Sequence, residues 1–237
     1  MESKINLPAP LLPDSIIQRA KALGSALLAD GMKDLGVEND GAMSRDINPV
    51  DIYMRVVGTA FTLETENGDN LPIHLSMKLL SEGYVMVIDG KGFSGAAYFG
   101  DLIARQARAV GAAAMIVDGC VRDRDELTEM GYPVFAAGFM QRGPVKKNPG
   151  RVNCPITCGG VRVNPGDLVV GDADGVTVVP REKIEEALAA AEKKDAYEVE
   201  RREKIQAYTH AKVSGGKLFN LSPAWVDKQL VGLGIKL

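Results

Sequence analysis

Three short apolar runs set the strongest limit on how this chain can fold: YVMVID at 84–89, AAAMIVD at 112–118 and YPVFAA at 132–137. None alternates cleanly between apolar and polar residues. A run of this length without alternation fits a strand buried on both faces, the habit of parallel sheets. The segments between the runs differ. Residues 101–110 read as a helix stopped by Gly111, and residues from about 123 to 130 read as another. The β-α-β-α-β order predicts an α/β fold with a mainly parallel core sheet covered on its faces.

The flanks add elements to this core. Ser15 is placed to cap a helix ending at Gly24, and a second helix follows to Gly36. RVVGTAFTLET, from Arg55, is β-branched and reads as a strand. GDNLPIHLSMKLLSEG, from Gly68, carries Leu71, Leu75, Leu79 and Leu80 at helical spacing and stops at Gly83. GKGFSGAAYFG, residues 90–100, reads as a glycine-rich loop. Beyond Gly143, short β runs are separated by the turn clusters 164–167 (NPGD) and 172–175 (DADG), which predicts appended hairpins. A long, highly charged helix follows Pro180, and a short one starts near Pro223. No repeat or linker divides the chain, so residues 1–237 are expected to form a single domain.

Composition excludes several partners. The chain has 28 Lys and Arg against 31 Asp and Glu, a net charge of −3, with no basic cluster for a nucleic acid. No apolar run approaches the roughly 20 residues of a membrane span. The N-terminal MESKINLPAPLLPDS lacks the apolar stretch of a secretory leader. The three cysteines, Cys120, Cys154 and Cys158, are too few and too odd in number for a disulfide framework, so a reducing cytoplasm is expected. Cys154 and Cys158 read as small buried hydrophobes rather than as a metal pair. Only two histidines, His74 and His210, are present, far apart in sequence, which makes a His-rich zinc site unexpected.

The parallel order also locates a site. Strands ending at Asp89 and near Val117 present their C-terminal ends on one edge, so the loop before Asp101 and the loop holding Arg122 and Asp123 emerge side by side. At the start of the 101–110 helix, the free N–H groups of Leu102 and Ile103 suit a carboxylate. Arg122 offers a planar donor fork for a carboxylate or an enolate oxygen. Asp123 and Asp101 are hard oxygen ligands that suit Mg²⁺ or Mn²⁺. An anion pocket beside an oxygen-ligated metal is what a 2-oxo acid needs. Plainer roles stand beside these: Asp101 as a helix N-terminal charge, and 122–125 as a solvated first turn with internal ion pairs. Gly90, Gly92 and Gly95, with Asp118 closing the next strand, also spell a dinucleotide fingerprint. Its helix would begin near Gly95 and trap Gly100 in mid-helix. A loop that lets backbone approach the substrate is the simpler use of those glycines.

Asp101, twenty intervening residues, then Arg122-Asp123 resembles the D-x20-R-D signature of a metal-dependent aldolase family. Its members include the 4-hydroxy-4-methyl-2-oxoglutarate / 4-carboxy-4-hydroxy-2-oxoadipate aldolases, and the regulator of ribonuclease E activity shares the fold. GDNLPIH at 68–74, GAAAMIVDGCVRD at 111–123, PVFAAG at 133–138 and VNPGDLVVGDADGVTVVP at 163–180 extend the likeness. It covers roughly residues 25–205 and leaves 206–237 as a C-terminal extension that also resembles the aldolase branch. The resemblance implies a swivelling β/β/α domain, homotrimers or homohexamers, and active sites between subunits. By the same resemblance, Asp123 is the direct ligand of Mg²⁺ or Mn²⁺, with Co²⁺ a further candidate. Asp101 holds a metal-bound water, and Arg122 contacts the keto or enolate oxygen. Gly100, Leu102 and Ile103 line the carboxylate site. Asn70 and His74 lie near the pocket, although His74 between Leu71 and Leu75 also reads as a packing residue. An acid from the neighbouring subunit, Glu198 or the nearby Glu200, reaches the metal's waters. The doubled Arg-Asp leaves a second register, Arg124-Asp125, two residues on.

The implied chemistry is a class II retro-aldol cleavage of a 4-hydroxy-2-oxo diacid to pyruvate and an oxo acid, with oxaloacetate decarboxylation as a side activity and a place in aromatic compound degradation. A Schiff-base route would need a buried lysine, and Lys91 among its glycines is the nearest candidate. The rival reading is a non-catalytic regulator docked on a ribonuclease or helicase. Methyl transfer, a label that similar sequences have carried, finds no cofactor-binding feature here.

Overall fold

The computed structural model of the protein describes residues 4–235, the side chains of residues 38 and 39 excepted. The first three residues of the leader-free N-terminal reading therefore lie outside the described residues. The chain divides into two compact units, Met1–Glu192 and Lys193–Leu237.

In the first unit, strand β1 (Lys4–Ile5) leads to helix α1 (Asp14–Asp34), followed by β2 (Asn48–Pro49) and β3 (Val56–Glu64). Helix α2 (Leu71–Ser76), strand β4 (Tyr84–Phe99), helix α3 (Asp101–Ala109), strand β5 (Ala114–Val121), helix α4 (Arg124–Met130) and strand β6 (Val134–Phe139) form the predicted alternating core. Short strands follow: β7 (Arg151–Val152), β8 (Ile156–Cys158), β9 (Val161–Val163), β10 (Leu168–Asp172) and β11 (Gly175–Val179). Helix α5 (Ile184–Ser214) carries the chain into the second unit, which ends with α6 (Ala224–Gly232). Among the described residues no helix is long and apolar enough to cross a membrane.

Strands β3, β4, β5 and β6 are parallel neighbours in that order. Their run-on apolar sequences supply both faces. Met86 and Ile88 pack with Phe61, Leu63, Ala104 and Leu127 on the side of α2–α4. Val85 and Val87, one residue out of phase, pack with Phe135, Ile156, Val169 and Val178 beneath the hairpins. The predicted hairpins are β8–β9 and β10–β11, both antiparallel, and β10 also pairs antiparallel with β3. On the outer side of β10, Leu168 and Val170 meet α1 and the first turns of α5 through Leu28, Met32, Ala187 and Leu188. Helices on one side of the central sheet and hairpins on the other make the β/β/α layering.

Three local expectations need correction. The two N-terminal helices are one element, interrupted at Gly24 (φ 77°), and Pro13 rather than Ser15 stands at its N-cap. The leucine stripe from Leu71 does not mark a long helix: α2 stops at Ser76, and the buried side chains there are Pro72, Ile73, Ser76, Met77 and Leu80. The Ser76 hydroxyl donates to Ile73 O (2.7 Å) and Ser76 O accepts from Leu79 N (2.8 Å), which closes the chain into a tight turn. Most consequentially, residues 90–99 are not a loop. β4 runs on to Phe99 beside β5, absorbing the irregular residues through register shifts after Ile88, Phe93 and Ala97. The glycines have a packing reason. Tyr98 folds its ring across the backbone, and a Cβ would stand 2.7 Å from a ring carbon at Gly90 and closer still to one at Gly119. The Tyr98 hydroxyl donates to Gly90 O (2.7 Å) and accepts from Gly68 N (3.2 Å), and burial pushes its pKa up to about 12. No helix starts at Gly95, so the dinucleotide fingerprint has no structural basis.

Candidate active site

Two crossover turns meet at the C-terminal edge of the sheet. β4 ends at Phe99, and Gly100 in extended conformation is the N-cap of α3. β5 ends at Val121, and Arg122 N donates to Phe99 O (3.0 Å), which stitches the turns together. Asp123 is the N-cap of α4 in left-handed conformation (φ 59°, ψ 50°). Few side chains accept that region, Asp and Asn most readily, and such strain gathers at functional sites. Its effect is to tip the carboxylate over Gly100. Asp123 Oδ2 accepts from Asp101 N (3.2 Å) and lies 3.5 Å from Arg122 Nε. A Cβ on Gly100 would collide with that oxygen and stand 2.9 Å from Arg122 Cγ, so any larger residue there must displace the pair.

This arrangement leaves specific groups over. The contacts of Asp123 fall on Oδ2, so Oδ1 is unengaged among the described residues. The α3 ladder opens with Ala104 N donating to Gly100 O (3.1 Å), and the N-cap, a glycine, offers no side chain of its own. With Asp101 N turned to Asp123, the N–H groups of Leu102 and Ile103 have no intrahelical acceptor. The Leu102 side chain is 75% exposed at this edge, whereas Ile103 packs partly into the core. Asp101 Oδ2 accepts from Arg105 Nε (3.1 Å), one helical turn on, which leaves Oδ1 for water. Arg124 lies over the Phe139 ring at 4.6 Å, so the second register, Arg124-Asp125, belongs to the first turn of α4.

A third segment joins from the turn before α2. Asn70 is 2% exposed, and its Nδ2 donates to Tyr98 O (3.0 Å), two residues before Gly100. Its Oδ1 is buried without a partner, and so is Nε2 of His74. Burial, then the field of Lys146, lowers the His74 pKa, which favours the neutral ring near pH 7. Lys146 escaped sequence reasoning. Its sequence signal is a twin lysine framed by Pro144 and Pro149, with no acid nearby. The same loop passes the guanidinium: a Cβ on Gly143 would stand 3.2 Å from Arg122 Nη1.

The structure thus brings Gly100, Asp101, Leu102, Ile103, Arg122 and Asp123 to one edge, with Asn70 tied to the same strand. Glu198 and Glu200 belong to the second unit. Glu198 pairs with Arg202 (3.2 Å), and Lys204 at 2.5 Å holds the Glu200 carboxyl below its usual range. Among the described residues no three His, Cys, Asp or Glu side chains gather as a metal cage. One free carboxylate oxygen, with Asp101 on the adjoining turn as a second acid, suits a hard ion that keeps most of its own waters. Lys91 is exposed and paired with Glu64 (3.3 Å), the opposite of the buried amine a Schiff base needs. Cys154 and Cys158 are both buried free thiols, and burial raises the Cys158 pKa. Two cavities, of about 490 and 450 Å³, lie at the N-terminal ends of β3–β5 around Lys21, Val57 and Ala113, and hold none of these residues.

Comparison with known proteins adds a lineage. Residues 25–178 match the model of the family described as "RraA-like: Aldolase/RraA". A protein of Halalkalibacterium halodurans named "Putative 4-hydroxy-4-methyl-2-oxoglutarate aldolase" is 41% identical over 154 residues, 65% of this chain and 73% of its own. A protein of the same name from Halorhodospira halophila is 33% identical over 161 residues, 66% of this chain and 98% of its own. Among solved structures, Streptomyces coelicolor RraAS2, described as an unusual member of the RNase ES inhibitor RraA family, superposes with a TM-score of 0.73 at 25% identity, covering 81% of this chain and 98% of its own.

Proposed function

We propose that this chain, which belongs to the RraA-like (Aldolase/RraA) family, is a divalent-metal-dependent lyase. Its substrate would be a 4-hydroxy-2-oxo diacid of the 4-hydroxy-4-methyl-2-oxoglutarate or 4-carboxy-4-hydroxy-2-oxoadipate type, cleaved to pyruvate and a second oxo acid. One observation carries the reading: Asp123 is held in a strained conformation over a glycine whose Cβ would collide with it, beside a guanidinium and two unsatisfied helix N–H groups. A docking surface has no need of such a construction.

Each group has a task. The Leu102 and Ile103 N–H groups take the C1 carboxylate, aided by the helix dipole. Arg122 donates to the C2 oxygen, fixed positive charge facing the atom on which negative charge grows as the C3–C4 bond breaks. Asp123 Oδ1 and, through water, Asp101 Oδ1 would hold Mg²⁺ or Mn²⁺, which supplies Lewis-acid polarisation of the 2-oxo group and acidifies bound water. Asp101 Oδ1 would orient the base that takes the 4-hydroxyl proton. Lys146 and neutral His74, in the tautomer that carries its proton on Nε2, suit the second carboxylate, and the unpartnered Asn70 Oδ1, an acceptor, suits a substrate hydroxyl. The same charge arrangement serves loss of CO₂ from oxaloacetate, the expected side activity. A homotrimer or homohexamer, with Glu198 or Glu200 of a neighbour completing the site, accords with the exposed Leu102 beside it and the exposed Trp225, Val231 and Leu233 of the second unit. The RNase inhibitor family of the Streptomyces relative keeps a regulatory role as the rival.

The test is pyruvate release by the purified chain from a panel of 4-hydroxy-2-oxo diacids and oxaloacetate with Mg²⁺. Release should stop with EDTA and return with metal, and borohydride with pyruvate should trap nothing. A covalent pyruvyl adduct would replace this mechanism with a Schiff base, and no release from any panel member would favour the regulator.

A further inference from the structure

We infer that Asp69 is a positioning residue that clamps the 142–148 segment against the candidate site and so sets affinity for the distal carboxylate of a diacid. The inference rests on the reading of the site as a 2-oxo diacid pocket.

Asp69 is 0% exposed, yet its carboxylate partners are all backbone amides. Oδ1 accepts from Leu71 N (2.9 Å), and Oδ2 accepts from Lys147 N (2.8 Å) and Asn148 N (2.9 Å). A buried acid is costly unless its hydrogen bonds are made, and backbone N–H donors to an anion are among the strong ones. What this acid holds is an exposed loop without regular structure, framed by Pro144 and Pro149. Around the clamp, Val145 N donates to Gly68 O (2.8 Å) and Asn70 N donates to Val145 O (3.0 Å). Upstream, Ala97 N donates to Arg142 O (2.8 Å).

The pinned segment touches both ends of the pocket. Gly143 runs beside the Arg122 guanidinium, and Lys146 stands near enough to His74 to oppose its protonation. Asp69 itself precedes Asn70, which is bonded to the strand leading into Gly100. It touches no candidate substrate atom and acts through the lysine loop. The proximal half, Arg122 with the α3 N-terminus, is fixed independently by the Phe99–Arg122 bond. Gly143 keeps its own anchor through the Ala97 N–Arg142 O bond, whereas the lysine end of the segment is held by Asp69, so loss of the clamp should weaken one end of the ligand and spare the other.

Equilibrium binding separates the two ends. Pyruvate probes the proximal half and 2-oxoglutarate, a 2-oxo diacid that cannot undergo the cleavage, probes both, each titrated calorimetrically with Mg²⁺ present. Asp69→Asn should weaken 2-oxoglutarate about tenfold or more and leave pyruvate within about twofold. Asn148→Pro, which deletes one donor to the clamp and keeps the acid, should give a smaller loss in the same direction and covers the case in which Asp69→Asn fails to fold. Equal weakening of both ligands, unchanged affinities in both variants, or no binding by the unmodified chain would overturn the assignment. If the unmodified chain binds both ligands and Asp69→Asn is selective while no diacid is cleaved, the clamp stands and the lyase reading falls.

Discussion

Asp123→Asn should lower pyruvate release by about a thousandfold, roughly 4 kcal/mol of transition-state stabilisation, and leave the fold intact. Asparagine accepts the left-handed conformation as readily as aspartate, so the turn at φ 59° survives. Its side-chain oxygen can still accept from Asp101 N. What disappears is the negative charge on the one carboxylate leaning over Gly100, and with it the direct grip on a divalent ion. The checks are turnover at saturating Mg²⁺ and an unfolding free energy from denaturant titration within about 1 kcal/mol of the unmodified protein, since only a capping charge is lost. Near-full activity would show that the ion, if used, is held elsewhere.

Gly100→Ala should be nearly as damaging from the opposite side of the same contact. The added methyl collides with Asp123 Oδ2 and reaches Arg122 Cγ at 2.9 Å, so both side chains must move. The backbone itself is extended and imposes no penalty of its own on alanine. Overpacking of this kind costs about 1–3 kcal/mol of stability. A displacement near 1 Å at the reacting centre costs about a hundredfold in rate, so kcat/KM should fall at least that far. The comparison of rate loss with denaturation midpoint is the useful one: a large rate loss with a small stability loss places the two side chains at the chemistry. A variant that is destabilised but fully active would make the contact merely structural.

The parts of this site that are legible in sequence are those set by local order. Asp101 and Arg122-Asp123 follow the ends of two consecutive apolar strands, and parallel strands must deliver such turns to one edge. The alternating core was legible for the same reason. The glycine-rich stretch 90–100 was not, because its glycines serve the Tyr98 ring, a partner revealed only when β4 folds against β5. The shortness of α2 was hidden by leucines that mimic a helical stripe, of which only Leu80 is buried, beside Ile73 and Met77. The clamp of Asp69 on Lys147 and Asn148 spans more than seventy residues and joins two loops that carry no periodicity, so only the folded chain reveals it. The left-handed turn at Asp123 could have been suspected from an Asp between arginines at a strand end, but its cradle, the missing Cβ of Gly100, could not.

The central claim is that two adjacent turns hold a divalent ion and a 2-oxo acid together through Asp123 and Arg122. Mn²⁺ electron paramagnetic resonance on the purified chain, with and without oxalate as a mimic of the pyruvate enolate, tests it most directly. The expected result is bound Mn²⁺ whose spectrum changes when oxalate is added, and loss of both signals in Asp123→Asn. Mn²⁺ that binds equally well in the variant, or a bound spectrum indifferent to oxalate, would contradict the account.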